Sequence, residues 1–175
     1  MPLLSNASKS HMKFSSIFGW RRNVARAFIY DAEGAGGRGL FLIAKGRIPP
    51  RIWHLPGGGI GKVIAEENER IGRENGSKGR QKETPENALR RELFEELCFG
   101  RDHVQSVTWV GQRASRVAFM PHLEELFVVR VMPGLSRQPI RKSWELLDAK
   151  WVDAAELARL CAYDEAIMEK MKSLI

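Results

Sequence analysis

The chain has only two cysteines, Cys98 and Cys161, and they form no CxxC pair. That excludes a disulfide framework and cysteine-based zinc spacing, and it fits a reducing compartment. No apolar run is long enough for a membrane helix, and no sustained apolar stretch marks a secretory signal. A Walker A sequence and a G-x-S-x-G elbow are absent as well, which removes P-loop and serine-hydrolase chemistry. Residues 1–30 contain no Asp or Glu, yet hold Lys9, Lys13, Arg21, Arg22 and Arg26. This composition resembles a mitochondrial presequence. Because Val24–Tyr30 already reads as core, the preferred reading is a poorly ordered basic segment over 1–20 in a cytoplasmic protein, with mitochondrial import as the alternative.

What is present points to one folded unit. A length of 175 residues and 43% hydrophobic content suit a single domain, here 21–175, with a sizeable core. The net charge of +7 favours encounter with anions such as nucleotides or RNA. Asn23–Tyr30, Leu40–Ala44 and Ile52–Leu55 read as strands, the first two joined by the Gly-rich turn Glu33–Gly39. Gly61–Lys82 is charged and short of large apolar residues, so it reads as a loop inserted at about 61–82. Val104–Gly111, Arg116–Met120, Leu126–Met132 and Ala149–Val152 read as further strands. Asp153 caps a helix through Leu160, and Tyr163–Leu174 is amphipathic with Ile167, Met168, Met171 and Leu174 inward. Helices interleaved with a mixed set of strands predict an α/β sandwich.

The richest segment runs from Glu83 to Phe99. Thr84 is a good N-cap and Pro85 suits the first helical position. Ala88, Leu89, Leu93 and Leu97 recur at threes and fours and make an apolar face. Glu92, Glu95 and Glu96 stand at i, i+3 and i+4, so their carboxylates share one side of the helix. Like charges at that spacing destabilise a helix unless a cation lies between them, and hard oxygen ligands suit Mg²⁺ or Mn²⁺. The competing reading is an exposed acidic helix with ordinary pairs such as Arg91 with Glu95.

Glu83, seven residues, then Arg91-Glu92-Leu93-Phe94-Glu95-Glu96-Leu97-Cys98-Phe99 resembles the second half of the Nudix box. Leu55-Pro56-Gly57-Gly58-Gly59 resembles its opening glycine turn. The resemblance implies a Nudix-like α/β/α sandwich with a mixed β-sheet and a loop-helix-loop metal site. It implies a Mg²⁺-dependent hydrolase, with Mn²⁺ as substitute, that attacks a phosphoanhydride in a nucleoside diphosphate linked to another group. Glu95 and Glu96 would be metal ligands, Glu92 a ligand or the general base, and the Gly57 carbonyl a further oxygen. Glu83 and Arg91 would pair and, with Gly58, support the site. Glu145, six residues before Trp151, resembles the family's late glutamate that can face the metals. Glu124 and Glu125 are weaker alternatives.

Two features depart from the family. Gly58 and Glu83 are separated by 24 residues where five are expected. Cys98 replaces the final glycine, and Gly100 is expected to supply the left-handed helix end instead. Arg21, Arg22, Arg26, Lys45 and Arg47 are candidate phosphate contacts or solvated charges. Trp20, Trp53, Trp109 and Trp144 either stack on a base or pack. His54 and His103 are read as structural, and His122 has no assigned role. The partner is then a nucleotide-derived small molecule, with an RNA 5′ end as a further option. The rival function is a non-catalytic Nudix-like domain that binds a nucleotide or RNA and regulates a partner.

Overall fold

The computed structural model describes residues 22–47, 51–61, 83–117, 120–161 and 163–175. The expected basic segment 1–20, with Trp20 and Arg21, and residues 62–82 of the insertion lie outside these. A six-stranded mixed sheet organises the rest. At its centre β1 (Arg22–Asp31) runs parallel to β5 (Met120–Val131), in register from Arg22–His122 to Tyr30–Arg130. β4 (Val104–Val117) lies antiparallel on the far side of β5. β2 (Leu40–Gly46) meets β1 only at Ile29–Asp31 and pairs along its length with β6 (Leu146–Val152). β3 (Trp53–His54) pairs with Ala44 and Lys45.

Residues alternate between two faces of the central strands, and each face has its own cover. Ala25, Ala27 and Ile29 of β1 and Phe127, Val129 and Val131 of β5 lie under Ala88, Leu89, Leu93 and Leu97 of helix α1 (Pro85–Leu97). Phe28, Leu126 and Val128 face the opposite way. They pack with Leu157 of α2 (Ala154–Leu160) and Met171 of α3 (Glu165–Ser173). Burial on both sides explains why Leu126–Val129 is a continuous apolar run rather than an alternating one. Full burial of each α1 leucine contributes about 1.5–3 kcal/mol, which anchors the acidic helix to the sheet. The result is an α/β/α sandwich.

The helix caps follow the sequence. Thr84 Oγ1 accepts from Asn87 N, Asp153 from Glu156 N, and Asp164 from Ile167 N. The last of these starts α3 at Glu165, two residues later than expected, because Asp164 is the cap and stays extended. Two expectations need correction. Arg116–Met120 is not a separate strand; β4 and β5 are the long arms of one hairpin, with residues 118 and 119 between them outside the described set. Gly100 does not supply the left-handed position, since its φ is −82°. Cys98 adopts that conformation itself, at φ 58° and ψ 26°.

Candidate active site

β1 and β2 part after their three-residue contact, and the glycine segment fills the opening along β1. Ala27 N donates to Pro56 O, Ala25 N to Gly58 O, and Ile60 N to Asn23 O, at 2.9–3.0 Å. Gly57 has a φ of +124°, and a Cβ there would fall 2.2 Å from Ala25 O, so only glycine fits. A Cβ on Gly58 would fall 2.4 Å from the carboxyl carbon of Glu92. The two glycines thus bring a strand end against α1 and leave room for its carboxylates.

Arg91 is the hub of the charged network. Its Nε and Nη2 donate to the two Glu83 oxygens at 3.0 and 3.1 Å, the bidentate geometry that suits a guanidinium. Nη1 donates to Glu92 at 2.8 Å and Glu95 at 3.0 Å, and Nη2 also reaches Gly59 O at 2.9 Å. Here is the cation that the closely spaced glutamates require.

The long insertion leaves this geometry whole. Gly61 N donates to Glu83 Oε2 at 2.9 Å, and Glu83 N donates to Gly61 O at 3.3 Å. The chain therefore departs at Gly61 and returns at Glu83 through a closed pair of hydrogen bonds. Arg91 fastens that junction to the helix.

Glu96 and Glu92 are the inner carboxylates. Glu96 is buried, and its Oε2 accepts from Gly57 N at 3.0 Å. Burial raises its pKa to about 7; the Gly57 N–H and Arg26 pull it down, while Glu92 and Glu145 push it up. Burial likewise raises Glu92 against the downward pull of Arg91, with Glu95 and Glu145 adding to the rise. Glu145 has an exposed side chain, yet its field reaches both inner carboxylates. Its segment is tied to α1 through Ser143 N and Glu96 O at 2.8 Å. Glu95 is more exposed and stays on the Arg91 side.

Among the described residues, no three Asp, Glu, His or Cys side chains sit close enough to share one ion. Arg91 draws Glu92 and Glu95 to itself, while Gly57 N holds Glu96. The chemistry of the donor set nonetheless fits a hard divalent cation. All donors are oxygens, and the buried Glu96 stands in an excess of carboxylate charge that Arg26 only partly offsets.

Arg26, a candidate phosphate contact or solvated charge, is instead taken up by backbone carbonyls. Its Nη1 donates to Gly57 O at 2.5 Å and Leu55 O at 3.1 Å, and lies 3.3 Å from His54 Nδ1. An arginine on a strand covered on both faces must find buried acceptors, and strand periodicity was the available signal. His54 stays neutral, with burial and then Arg26 lowering its pKa to about 4. Lys45 and Lys150 lie over Trp53, and Arg47 Nε donates to Trp144 O at 2.6 Å. Glu124 is taken by Arg113 and Ser115, and Glu125 by Trp109 and Gln112. His103 stacks on Phe99, and His122 is buried in β5.

A mixed sheet between helices, with a glycine turn clasped to an acidic helix by one arginine, defines a Nudix-type architecture. The chain belongs to that family: the NUDIX domain model matches residues 20–173. It is thus a hydrolase-family chain whose fold has solved counterparts. An Ap4A hydrolase from C. elegans, in a binary complex, superposes with a TM-score of 0.64 at 16% identity, covering 87% of this chain and 96% of that one. The NUDIX domain of Shewanella oneidensis NrtR, complexed with ADP ribose, gives 0.61 at 16% identity, covering 98% and 99%. A MutT protein from Methanosarcina mazei Go1 gives 0.54 at 16%, covering 87% and 91%. No curated protein matches the sequence. Among the described residues, no helix is long and apolar enough to cross a membrane.

Proposed function

We propose that this chain is a Mg²⁺-dependent hydrolase, with Mn²⁺ as substitute, that cleaves a phosphoanhydride in a nucleoside diphosphate derivative. The observation that carries this reading is the buried Glu96 carboxylate. It is anchored on Gly57 N in the field of Glu92 and Glu145, and the Glu83–Arg91 clasp holds the surrounding loop. Glu92 and Glu96, with Glu95 and Glu145 from the rim, would hold the metal. A carbonyl has two lone pairs, so Gly57 O can add an oxygen while accepting from Arg26. A bound divalent cation neutralises and orients the diphosphate and acidifies a water.

The chain's own residues prepare that chemistry. Gly57 N fixes one Glu96 oxygen and leaves the other available. Arg91 holds Glu92 and Glu95 on its own side, apart from Glu96. A positioned carboxylate can accept a proton from an attacking water, a role open to Glu92 if it is not itself a ligand. Phosphoryl transfer depends mainly on positioning and electrostatics, and this network supplies both.

Dinucleoside polyphosphates and ADP-ribose derivatives are the substrate classes supported first, because similar folds are an Ap4A hydrolase and a domain complexed with ADP ribose. RNA 5′ ends have no such support. The test is turnover of a nucleoside-diphosphate panel with Mg²⁺ and Mn²⁺, beside Glu96→Gln and Glu95→Gln. Glu96→Gln should lower kcat at least about a hundredfold, the scale of a positioned acid–base or electrostatic group. Folding should remain intact. Nucleotide binding without turnover, unaffected by either substitution, would instead establish the regulatory binding domain.

A further inference from the structure

Trp144 is 72% exposed on a turn that adjoins the candidate active site, although tryptophan is on average a well-buried side chain. The turn beneath it is held from both sides. Ser143 N donates to Glu96 O of α1, and Arg47 N donates to Glu145 O from the end of β2. Arg47 Nε donates to Trp144 O, and Lys142 Nζ to Leu147 O. The indole is therefore presented on a braced backbone, which reduces the ordering cost of any ligand that meets it.

The exposed charges around it are mostly cationic, with Glu145 the exception. Arg47, Arg51, Arg141 and Lys142 are exposed, and none is paired with a carboxylate among the described residues. Arg51 Nε donates to Arg47 O at 3.3 Å, which brings the end of β2 and the approach to β3 together beside the turn. Trp144 also directly precedes Glu145, whose field acts on Glu92 and Glu96. Neighbouring Cα atoms are about 3.8 Å apart, so the indole begins one residue from a candidate site carboxylate.

An exposed aromatic face on a turn braced by cations that have no carboxylate partner among the described residues suits a nucleobase followed by phosphates. The ring takes the base by stacking, with little preference among bases, and the cations take the phosphate oxygens. We infer that Trp144, with Arg47 and Lys142, is a stacking platform for a second nucleoside, carried on the far side of the scissile phosphoanhydride. This inference rests on the hydrolase reading and narrows its substrates to compounds with a base at each end.

The experiment separates the two ideas by measuring binding and turnover independently. Methylene-bridged analogues of a dinucleoside tetraphosphate and of the matching mononucleoside triphosphate would be titrated with Mg²⁺ into the full chain, Trp144→Phe and Trp144→Ala. The dinucleoside analogue should bind the wild type at least about fivefold more tightly. Trp144→Ala should weaken that analogue by roughly 5- to 150-fold, the range for losing one stacked base. It should change the mononucleoside analogue by less than about twofold, and Trp144→Phe should retain most of the preference. Equal losses for both analogues, no loss, or no binding of either would overturn the platform. So would a Trp144→Ala effect confined to self-association, which would assign the ring to a second copy of the chain. Turnover of the hydrolysable compounds, read against Glu96→Gln, reports on the hydrolase alone.

Discussion

The two ends of α1 carry the same residue type in opposite electrostatic states. At the N-terminal end, burial alone would raise the Glu83 pKa, but Arg91 and Gly61 N–H outweigh it and hold the carboxyl below its ordinary range. At the C-terminal end, burial prevails and Glu96 rises to about 7. The last turn of α1 has no basic residue, and the negative end of a helix dipole disfavours a carboxylate there. One end is a completed clasp, while the other is short of positive charge. That asymmetry teaches where a divalent cation has something to compensate and where it does not.

The largest expected effect comes from opening the clasp. Arg91→Ala would leave Glu83 buried without its bidentate partner and would release Glu92 and Glu95. Breaking such a pair should cost about 3 kcal/mol, read as a lower urea midpoint. Catalysis should also fall about 10–100-fold through lost positioning of the carboxylates. Arg91→Lys keeps the charge but not the planar fork, so its loss should be smaller in both measurements. Unchanged stability in Arg91→Ala would remove the claim that the clasp closes the insertion.

Most of this arrangement was legible from residue spacing. The apolar repeat from Ala88 to Leu97 put the helix on the sheet, and the Thr84 and Asp153 caps could be read directly. The pairing of Glu83 with Arg91 came from the resemblance alone. Three things escaped because they depend on contacts distant in sequence. The return of the insertion at Gly61 and Glu83 joins positions that no local pattern links. Arg26 read as a surface cation until the glycine segment lay beside β1 and offered its carbonyls. The β4–β5 hairpin was divided because Gln112–Ser115 and Pro121–Glu125, in its arms, are poor in the apolar alternation by which strands are recognised. The placement of Glu92, Glu95 and Glu96 on one side of the helix was legible as spacing, whereas their division by Arg91 depends on side-chain direction.

The second prediction concerns the short end of the comparison and is made in EDTA. Glu96 binds a proton more tightly folded than unfolded. Its contribution to stability is therefore complete below about pH 4.5 and is lost as pH rises towards about 7. His54 has the opposite sign. Its folded pKa is depressed from 6.5 to about 4, so its contribution is complete above pH 6.5 and lost as pH falls towards 4. Each shift corresponds to about 3 kcal/mol at most, and between pH 4.5 and 6.5 the two slopes oppose. Urea midpoints of the wild type should change little across that window from these two groups. Glu96→Gln should expose the rising His54 slope, and His54→Asn the falling Glu96 slope. Identical profiles for wild type and Glu96→Gln would show that the helix end is not electrostatically short.

The smallest effect tests how the same end is closed sterically. Cys98 N donates to Phe94 O and Phe99 N to Leu93 O, a Schellman-type ending that requires the left-handed conformation found at Cys98. For a residue with a Cβ that conformation costs about 1–2 kcal/mol. Glycine would remove this strain but would add about 0.5–1 kcal/mol of unfolded-chain entropy to be lost on folding. Cys98 is exposed, so the substitution should sacrifice little packing. Cys98→Gly should stabilise the protein by about 0.5–1 kcal/mol, a rise in Tm of about 2 °C for a chain of this size. Cys98→Val should lower Tm, because a β-branched residue tolerates positive φ least. A Tm that falls with glycine would mean that the Cys98 side chain makes a favourable contact that outweighs its backbone strain.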